Sequence, residues 1–363
     1  MIDSTQNITV TNKLFTQKFV QGLLKWNRLE NDRQMPWKGE KDPYKIWLSE
    51  IILQQTRVEQ GLKYYERFVK TFPTIQDLAK APENQVFKLW EGLGYYSRCR
   101  NIIATARFVS EELNGAFPSE YSTVLALKGI GPYTAAAITS FAYNLPHAVL
   151  DGNVFRVISR IFDIEVPIDS SLGKKIFIGQ AQQLLPKNKA AEYNQAIMDF
   201  GATICKPSPE CAHCFFNKYC KAFLQNKQLA LPVKEKKLKI KERWFHYFIV
   251  EHKNTIAIKQ RTAKDIWHSL HEVLLVEGDK KLKQYELLEL IEKSFGIERN
   301  TYKIESVPTQ DAQRLTHQVI YFSFYKILLQ KKITIPHYQW INKKDMDQLA
   351  FPKTLQKVLS QNL

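Results

Sequence analysis

The sequence lacks the marks of an exported or membrane-spanning protein. Residues 1–7 are polar and acidic, without the basic and then apolar regions that open a signal peptide. No apolar run approaches the roughly 18 residues that a bilayer-spanning helix needs. The best candidate, 134–143, is too short. These absences argue against export and insertion, so we expect a cytoplasmic protein with no membrane partner.

Cysteine is scarce outside one short segment. Cys99 stands alone and is expected to be a packed or idle thiol, whereas Cys205, Cys211, Cys214 and Cys220 follow the spacing Cys-x5-Cys-x2-Cys-x5-Cys. Without an export signal, this cluster favours a metal site over disulfides. Four thiolates so close together can surround an iron–sulfur cluster or one zinc ion. Zinc sites generally pair two short Cys-x-x-Cys units, and only one is present here, so a [4Fe–4S] cluster is favoured.

The composition is that of a folded, basic protein. Hydrophobic residues make up 44% and aromatic residues 12% of the chain, which excludes general disorder. The length of 363 residues predicts about two to three domains. Lys and Arg number 52 against 36 Asp and Glu, and the net charge of +16 suits a polyanion such as nucleic acid. Composition alone leaves ribosomal, membrane-surface and nucleic-acid enzymes open.

The chain changes character after residue 225. Short helical patterns punctuated by Gly and Pro predict a mainly α domain over 11–225. The polar and basic stretch 226–241 cannot bury a face and predicts a linker. Strand and helix patterns over 242–363 predict an α+β domain. The predicted helices are 18–29, 44–56, 61–71, 82–92, 99–114, 132–142, 192–204, 282–295 and 353–359, and the predicted strands are 244–251, 255–259, 273–276 and 319–327.

Residues 127–134 predict a tight turn between two helices. Gly129 and Gly131 permit positive φ and close approach of the backbone, and Pro132 fits a first helical turn. Exposed amides at such a helix start can hold a phosphate. Taken alone, the segment also fits a helix corner that binds no ligand.

With the following Leu150-Asp151-Gly152-Asn153-Val154, this hairpin resembles the helix-hairpin-helix DNA glycosylases, the superfamily that contains endonuclease III and the MutY adenine glycosylases. Bifunctional members carry a lysine where this chain has Tyr133, and its amine forms a Schiff base with the sugar. Tyrosine cannot form that imine. The resemblance therefore implies a monofunctional enzyme.

Residues 43–56 form an apolar helical pattern interrupted by one carboxylate, Glu50. Gln54 lies one turn later on the same face. A lone glutamate on a helix is usually solvated, but apolar surroundings raise the pKa of a carboxyl so that it can serve as a general acid at neutral pH. The segment resembles the adenine-glycosylase motif almost residue for residue, and Glu50 falls on the position of its catalytic acid.

The resemblance implies a division of labour between two carboxyl groups. Cleavage of an N-glycosidic bond builds positive charge on the sugar and negative charge on the leaving base. Glu50 would protonate adenine and Asp151 would face the oxocarbenium ion, with Tyr133 and Asn153 positioning Asp151 or the attacking water, as in glycoside hydrolysis. On the residues alone, Asp151-Gly152 is also a common turn.

Other positions are assigned only through the resemblance. Reaching a base inside a duplex requires flipping it out. The positions that wedge the stack and touch the opposite base are Gln55, Thr56, Leu93 and Tyr95. The adenine-pocket and other DNA-contact positions are Arg33, Met35, Trp37, Lys38, Gln54, Gly129, Gly131 and Asp199. The first gap between cysteines is one residue shorter than in the family, so the Lys206–Glu210 loop must be tighter.

The second domain is expected to resemble the Nudix fold and to read the oxidised guanine opposite the adenine. Gln260-Arg261 and Asp265-Ile266-Trp267 fit the early strands of that fold, and Thr316-His317 falls where the family often has Ser-His. No glutamate-rich Nudix box is present in the sequence. Catalysis at a Mg²⁺ site is therefore not expected in this domain.

We therefore expect a monomeric, nucleoid-associated bacterial enzyme that removes adenine opposite 8-oxoguanine or guanine in double-stranded DNA during base excision repair. Three alternatives stay open. An endonuclease-III-like lyase is disfavoured by Tyr133, and a thymine-mismatch glycosylase would not need the long second domain. A non-catalytic DNA-damage-binding protein would keep the hairpin and the charge but would not require Glu50.

Overall fold

The computed structural model describes residues 13–235, 240–308 and 312–362. Residues 11–12 of the predicted helical domain and 236–239 of the predicted linker lie outside the described residues. The described residues form two compact units. One contains residues 13–79 and 104–235, and the other contains 80–103, 240–308 and 312–362. The segment 80–103 thus packs with C-terminal residues, although it lies within the predicted helical domain.

The described chain from residue 13 to residue 224 is helical, as predicted. Every helix predicted in this region is present, with ends that differ by a few residues. The helices 75–80, 152–162, 171–184 and 221–224 were not predicted. The first and last are only six and four residues long, 152–162 begins at the turn-like Asp151-Gly152, and 171–184 contains two glycines. The helices are α1 (Lys13–Leu29), α2 (Pro43–Leu53), α3 (Val58–Thr71), α4 (Ile75–Lys80), α5 (Glu83–Trp90), α6 (Ser97–Glu112), α7 (Tyr121–Ala126), α8 (Pro132–Tyr143), α9 (Gly152–Phe162), α10 (Ser171–Leu184), α11 (Ala190–Thr203) and α12 (Lys221–Leu224).

The core of the first unit is built on α9. Its apolar residues recur at helical spacing, and Val154, Val157 and Ile158 are fully buried. Phe19 of α1 and Phe200 of α11 join the same cluster. Separately, α2 packs against α8. The helices α2, α8, α9 and α11 thus pack together through these pairs, and each contributes side chains to the cavity of the candidate site.

The second unit contains a mixed sheet with strand order β3-β2-β1-β7-β5, in which β1 and β7 are parallel. The other pairs, including β4 with β1, β6 with β7 and β8 with β2, are antiparallel. A tight turn at Lys253-Asn254 joins β1 to β2, since His252 pairs with Thr255. The elements are β1 (Lys241–His252), β2 (Thr255–Gln260), β3 (His271–Glu272), β4 (Leu274–Gly278), β5 (Tyr302–Val307), β6 (Ala312–Arg314), β7 (Gln318–Leu329), β8 (Gln339–Asn342), α13 (Gln284–Phe295) and α14 (Lys353–Asn362).

This sheet is covered by a helix on each face. Phe245 and Tyr247 of β1 share one apolar cluster with α14, while Phe248 and Val250 share another with α13. Because β1 is buried on both faces, its apolar residues are nearly continuous rather than alternating. Among the described residues, no helix combines the length and apolarity needed to cross a membrane.

The close approach of α11 to the start of α9 yields a test of this packing. A Cβ on Gly201 would lie 2.7 Å from the Asn153 Cβ and 3.0 Å from the Asn153 carbonyl oxygen. We expect Gly201→Ala to lower the free energy of unfolding by about 1–3 kcal/mol, because the helices must move apart. Gly179 of α10 has no atom within 4 Å of its added Cβ. The control Gly179→Ala should therefore be neutral or stabilise by roughly 0.5–1 kcal/mol. Urea denaturation measures both, and equal effects would contradict the packing.

Candidate active site

A cavity of about 470 Å³ in the first unit gathers most of the predicted catalytic and adenine-pocket residues. Its size lies within the range of small-molecule sites. Glu50 comes from α2, Tyr133 from the first turn of α8, and Asp151 and Asn153 from the start of α9. The sequence predicted these residues from three separate motifs, and the fold brings them to one place.

Glu50 is buried in the middle of α2. This helix starts where the sequence predicts, because Pro43 occupies the first turn and the Asp42 side chain accepts a bond from the Tyr44 N–H. The pKa of Glu50 is raised to about 7, mainly because the carboxyl is buried; a hydrogen bond with Tyr133 lowers this pKa and the charge of Asp151 raises it. The carboxyl is therefore protonated in a large fraction of molecules at neutral pH.

Asp151 is the N-cap of α9. Its carboxylate accepts the Val154 N–H at 2.7 Å and the Asn153 Nδ2–H at 2.8 Å. Burial raises the pKa of Asp151 above its ordinary value, and these two bonds, which favour the ionised form, offset only part of this shift. The neighbouring Tyr133 hydroxyl is neutral, since burial and the nearby carboxylates raise its pKa well above the usual value. The site thus sets a protonatable carboxyl beside a carboxylate held by donors.

A hydrogen-bonded arginine, Arg156, links this site to the cysteine segment. Its Nη2 donates to Asn153 Oδ1 at 2.8 Å and to the Gly201 carbonyl at 2.7 Å, and its Nε donates to the Cys205 carbonyl at 2.8 Å. This role of Arg156 could not be predicted from the sequence, because some of its partners lie up to 49 residues away. Arg156 fixes Asn153, which in turn holds Asp151.

A second polar cluster forms another wall of the cavity. Asp199 is fully buried on α11, where it binds Arg33 Nη1 at 2.8 Å and Lys38 Nζ at 3.1 Å. Asn31, which was not predicted, donates to the same carboxylate at 2.9 Å. A buried carboxylate needs such partners. The residues Met35, Trp37, Gln195 and Met198 also line the cavity. Gln195 and Met198 lie one turn and one residue before Asp199 on α11, and this helical spacing was the available signal.

The DNA-contact candidates of the first unit lie near the mouth of the cavity or on the hairpin. Gln54 ends α2, and its Nε2 donates to Thr134 Oγ1 at 3.3 Å. Gln55 has φ 54° and is exposed, and it lines the cavity with Thr56. In the hairpin, Gly129 has the expected positive φ of 80°. Gly131 instead has a φ of −100°, because it is the extended N-cap of α8.

The four clustered cysteines line one largely apolar cavity together with Arg160. Arg160 Nη1 lies 3.5 Å from the Cys205 Sγ and donates to the Lys206 carbonyl at 2.6 Å, while its Nη2 donates to the Pro207 carbonyl at 2.9 Å. These bonds hold the Lys206–Glu210 loop. Burial raises the pKa of Cys220 to about 11. Within the described ranges, no group of three or more His, Cys, Asp or Glu side chains is arranged to hold a metal ion.

The predicted recognition residues of the second unit line a separate cavity of about 520 Å³. Tyr95 is 43% exposed, has φ 47°, and its hydroxyl is hydrogen-bonded to Thr316 Oγ1. His317 lines the same cavity, whereas Leu93 is only 5% exposed in this conformation. Residues 265–267, expected in a strand, form a loop between β2 and β3 instead. Asp265 is held in this loop by ion pairs with Arg243 and Arg261.

Comparison with known proteins gives both halves of the chain a family. Residues 48–171 match the HhH-GPD superfamily of base excision DNA repair proteins, and residues 246–361 match the NUDIX domain. A solved thermostable thymine-DNA glycosylase covers 58% of this chain and 98% of its own length, with a TM-score of 0.55 and 29% identity. A trapped endonuclease III–DNA intermediate covers the same share at a TM-score of 0.50 and 21% identity, which shows the fold alone. The predicted helix-hairpin-helix and Nudix-like folds are confirmed.

Relatives named adenine DNA glycosylase extend the match. The human protein is 40% identical over 214 residues, which are 56% of this chain and 39% of that protein. The protein of Buchnera aphidicola subsp. Baizongia pistaciae is 32% identical over 352 residues, which are 95% of this chain and 97% of that protein. Since this likeness spans both units, the chain belongs to the adenine DNA glycosylase family.

Proposed function

We propose that this protein is a monofunctional, monomeric glycosylase of base excision repair that hydrolyses the bond between adenine and deoxyribose in duplex DNA. The observation that carries the proposal is the pairing of buried Glu50, whose pKa is about 7, with the capped carboxylate of Asp151 in one cavity. A general acid is most effective when its pKa lies near the working pH. The net charge of +16 favours a DNA substrate.

The reaction needs one proton and one negative charge. The Glu50 carboxyl donates its proton to the leaving adenine while the N-glycosidic bond breaks, and Asp151 stabilises the positive charge that remains on the sugar. Water then adds at the sugar carbon, and the Glu50 carboxylate can take the proton that this water loses. The Val154 N–H and Asn153 donate to the Asp151 carboxylate and favour its ionised form.

Tyr133 favours a simple hydrolase over a lyase. The hydroxyl is bonded to Glu50 and offers no amine for a Schiff base. The thymine-DNA glycosylase and the endonuclease III complex each match only 58% of the chain. Neither accounts for the second domain, which the adenine glycosylase of the Buchnera strain matches.

The walls of the cavity suggest how adenine is held. Arg33, Lys38 and Asp199 form a charged, mutually bonded group, and Trp37 offers an aromatic face. Such a group stays fixed when the base enters, because each charge already has a partner. We further propose that Tyr95, Thr316 and His317 read the base opposite the adenine and prefer 8-oxoguanine to guanine.

We also propose that Cys205, Cys211, Cys214 and Cys220 hold a [4Fe–4S] cluster. Four thiols on one cavity are the donor set that such a cluster takes, and the buried Arg160 guanidinium would stabilise their negative charge. Arg160 of α9 already binds the carbonyls of Lys206 and Pro207, and a cluster bound by the four cysteines would further hold the Lys206–Glu210 loop near α9. No step of the hydrolysis passes through it.

The first test replaces the proposed acid. Glu50→Gln keeps the shape of the side chain but supplies no acidic proton, so single-turnover excision should fall by about 10²–10⁴-fold while duplex binding persists. The wild-type rate should fall as the pH rises through about 7, because Glu50 is protonated below that pH. The exposed Glu112 on α6 provides the control Glu112→Gln, with unchanged rate. A near-wild-type rate for Glu50→Gln would refute the assignment.

The second test concerns the cysteines. The purified protein should be brown, absorb broadly near about 400 nm and contain roughly four irons per chain. Cys205→Ala should lose iron, whereas Cys99→Ala, at a buried thiol outside the cluster, should retain it. Stoichiometric zinc without iron would contradict the assignment.

The third test concerns the opposite base. We expect the double variant Thr316→Ala with His317→Ala to slow adenine removal opposite 8-oxoguanine by roughly ten- to a hundredfold, and removal opposite guanine far less, because lost hydrogen bonds to a desolvated base cost about 1–3 kcal/mol. The half-buried Thr301, which does not line the cavity of Thr316 and His317, gives a control, Thr301→Ala. Single-turnover rates on both duplexes measure the effect. Equal slowing on both would mean that these residues only support the fold.

A further inference from the structure

Arg243 on β1 has an unusual bonding pattern for a nearly buried side chain. All five of its N–H groups have acceptors: Nε and Nη2 donate to Glu277 at 2.6 and 2.7 Å, Nη1 and Nη2 donate to Asp265 at 2.9 and 2.6 Å, and Nη1 donates to Gln318 Oε1 at 3.2 Å. An arginine has no further donor. It is therefore committed to holding these three side chains.

Two of these three side chains belong to the cavity that contains Tyr95, Thr316 and His317, and the third does not. Asp265 and Gln318 line this cavity, whereas Glu277 on β4 is not part of its lining. Gln318 directly follows His317, whose carbonyl also accepts the Lys241 N–H at 2.9 Å. The Arg243 guanidinium thus connects two stretches of the cavity wall, one that contains Asp265 and one that contains Gln318.

The stretch that begins at Asp265 is a constrained loop. Trp267 and Ser269 have φ values of 58° and 74°, a region that non-glycine residues occupy only when the surroundings hold them there. Arg261 adds a bond to Asp265 at 3.3 Å, and Arg100 donates to the His268 carbonyl at 2.7 Å. The ion pairs of Asp265 and the hydrogen bond to the His268 carbonyl hold residues 265–267 in this loop, and not in the strand that we expected from the sequence.

These ion pairs are a weak source of stability, because the Asp265 and Glu277 side chains remain 33% and 42% exposed to solvent. Their geometric effect is strong, since bidentate arginine–carboxylate pairs fix orientation as well as distance. We propose that Arg243 is a positioning residue for recognition of the base opposite the excised adenine. It holds the 265–269 loop and the Thr316–Gln318 segment at a fixed separation without touching the base.

This inference rests on the proposed function and deepens it. The structure provides a matched pair of variants, because two carboxylates bind the same guanidinium and only one of them lines the cavity. Asp265→Asn and Glu277→Gln each remove one negative charge and keep the shape. A thermal melt of each variant shows whether the two lose similar stability.

The readout is the ratio of single-turnover excision rates opposite 8-oxoguanine and opposite guanine. We expect Asp265→Asn to lower this ratio by about three- to tenfold, which is the range for one lost hydrogen bond. Glu277→Gln should leave it within about twofold of wild type. Gln318→Met, which removes only the longest bond to Arg243, should lower the ratio in the same direction. In the background of Thr316→Ala with His317→Ala, Asp265→Asn should cause no further loss, because coupled residues are not additive.

The outcomes separate the claims. If Asp265→Asn and Glu277→Gln lower the ratio equally, or if neither changes it while wild type prefers 8-oxoguanine, Arg243 only supports the fold and the inference is overturned. A wild-type ratio of one would refute the proposed specificity itself, and the inference with it. Selective loss in Asp265→Asn and Gln318→Met supports the positioning role.

Discussion

The burial of one carboxyl group in α2 is the constraint on which the site depends. Removing Glu50 from water raises its pKa to about 7, and water returning to the site would cancel this effect. The apolar residues that flank Glu50 and the packing of α2 against α8 therefore serve chemistry as much as stability. Ionisation of Glu50 in this buried position destabilises the folded state, so the protein loses stability as the pH rises toward about 7. The same burial keeps a proton on the Glu50 carboxyl near neutral pH.

The starts of two helices complete the site. Tyr133 comes from the first turn of α8 and Asp151 caps α9, so the residues that begin these helices also line the cavity that contains Glu50. As the cap of α9, Asp151 is held near the helix amides, which favour its negative charge. The same residue thus has a folding role and a proposed chemical role. Arg156 extends this arrangement through Asn153 to the cysteine segment.

Local signals in the sequence predicted much of this arrangement. Asp42 and Pro43 mark the start of α2, Gly129 marks the hairpin, and the apolar flanks of Glu50 indicate its burial. Roles that depend on distant partners were missed. Arg156 and Arg243 look like ordinary surface cations in the sequence, because their acceptors lie tens of residues away. The α9 helix was missed because a capped helix start and an Asp-Gly turn have the same local sequence.

The grouping of residues 80–103 with the C-terminal residues has a consequence for synthesis. Lys88 donates to the carbonyl of Leu349 across 261 positions, and Glu91 accepts from Gln356 across 265. On the ribosome, which adds about 5–20 residues per second, this segment waits on the order of tens of seconds for its partners. The helices on either side of it can pack during that time. The contacts of residues 80–103 with residues 349–356 can therefore form only late in synthesis, after the residues that lie between them in the sequence have been made.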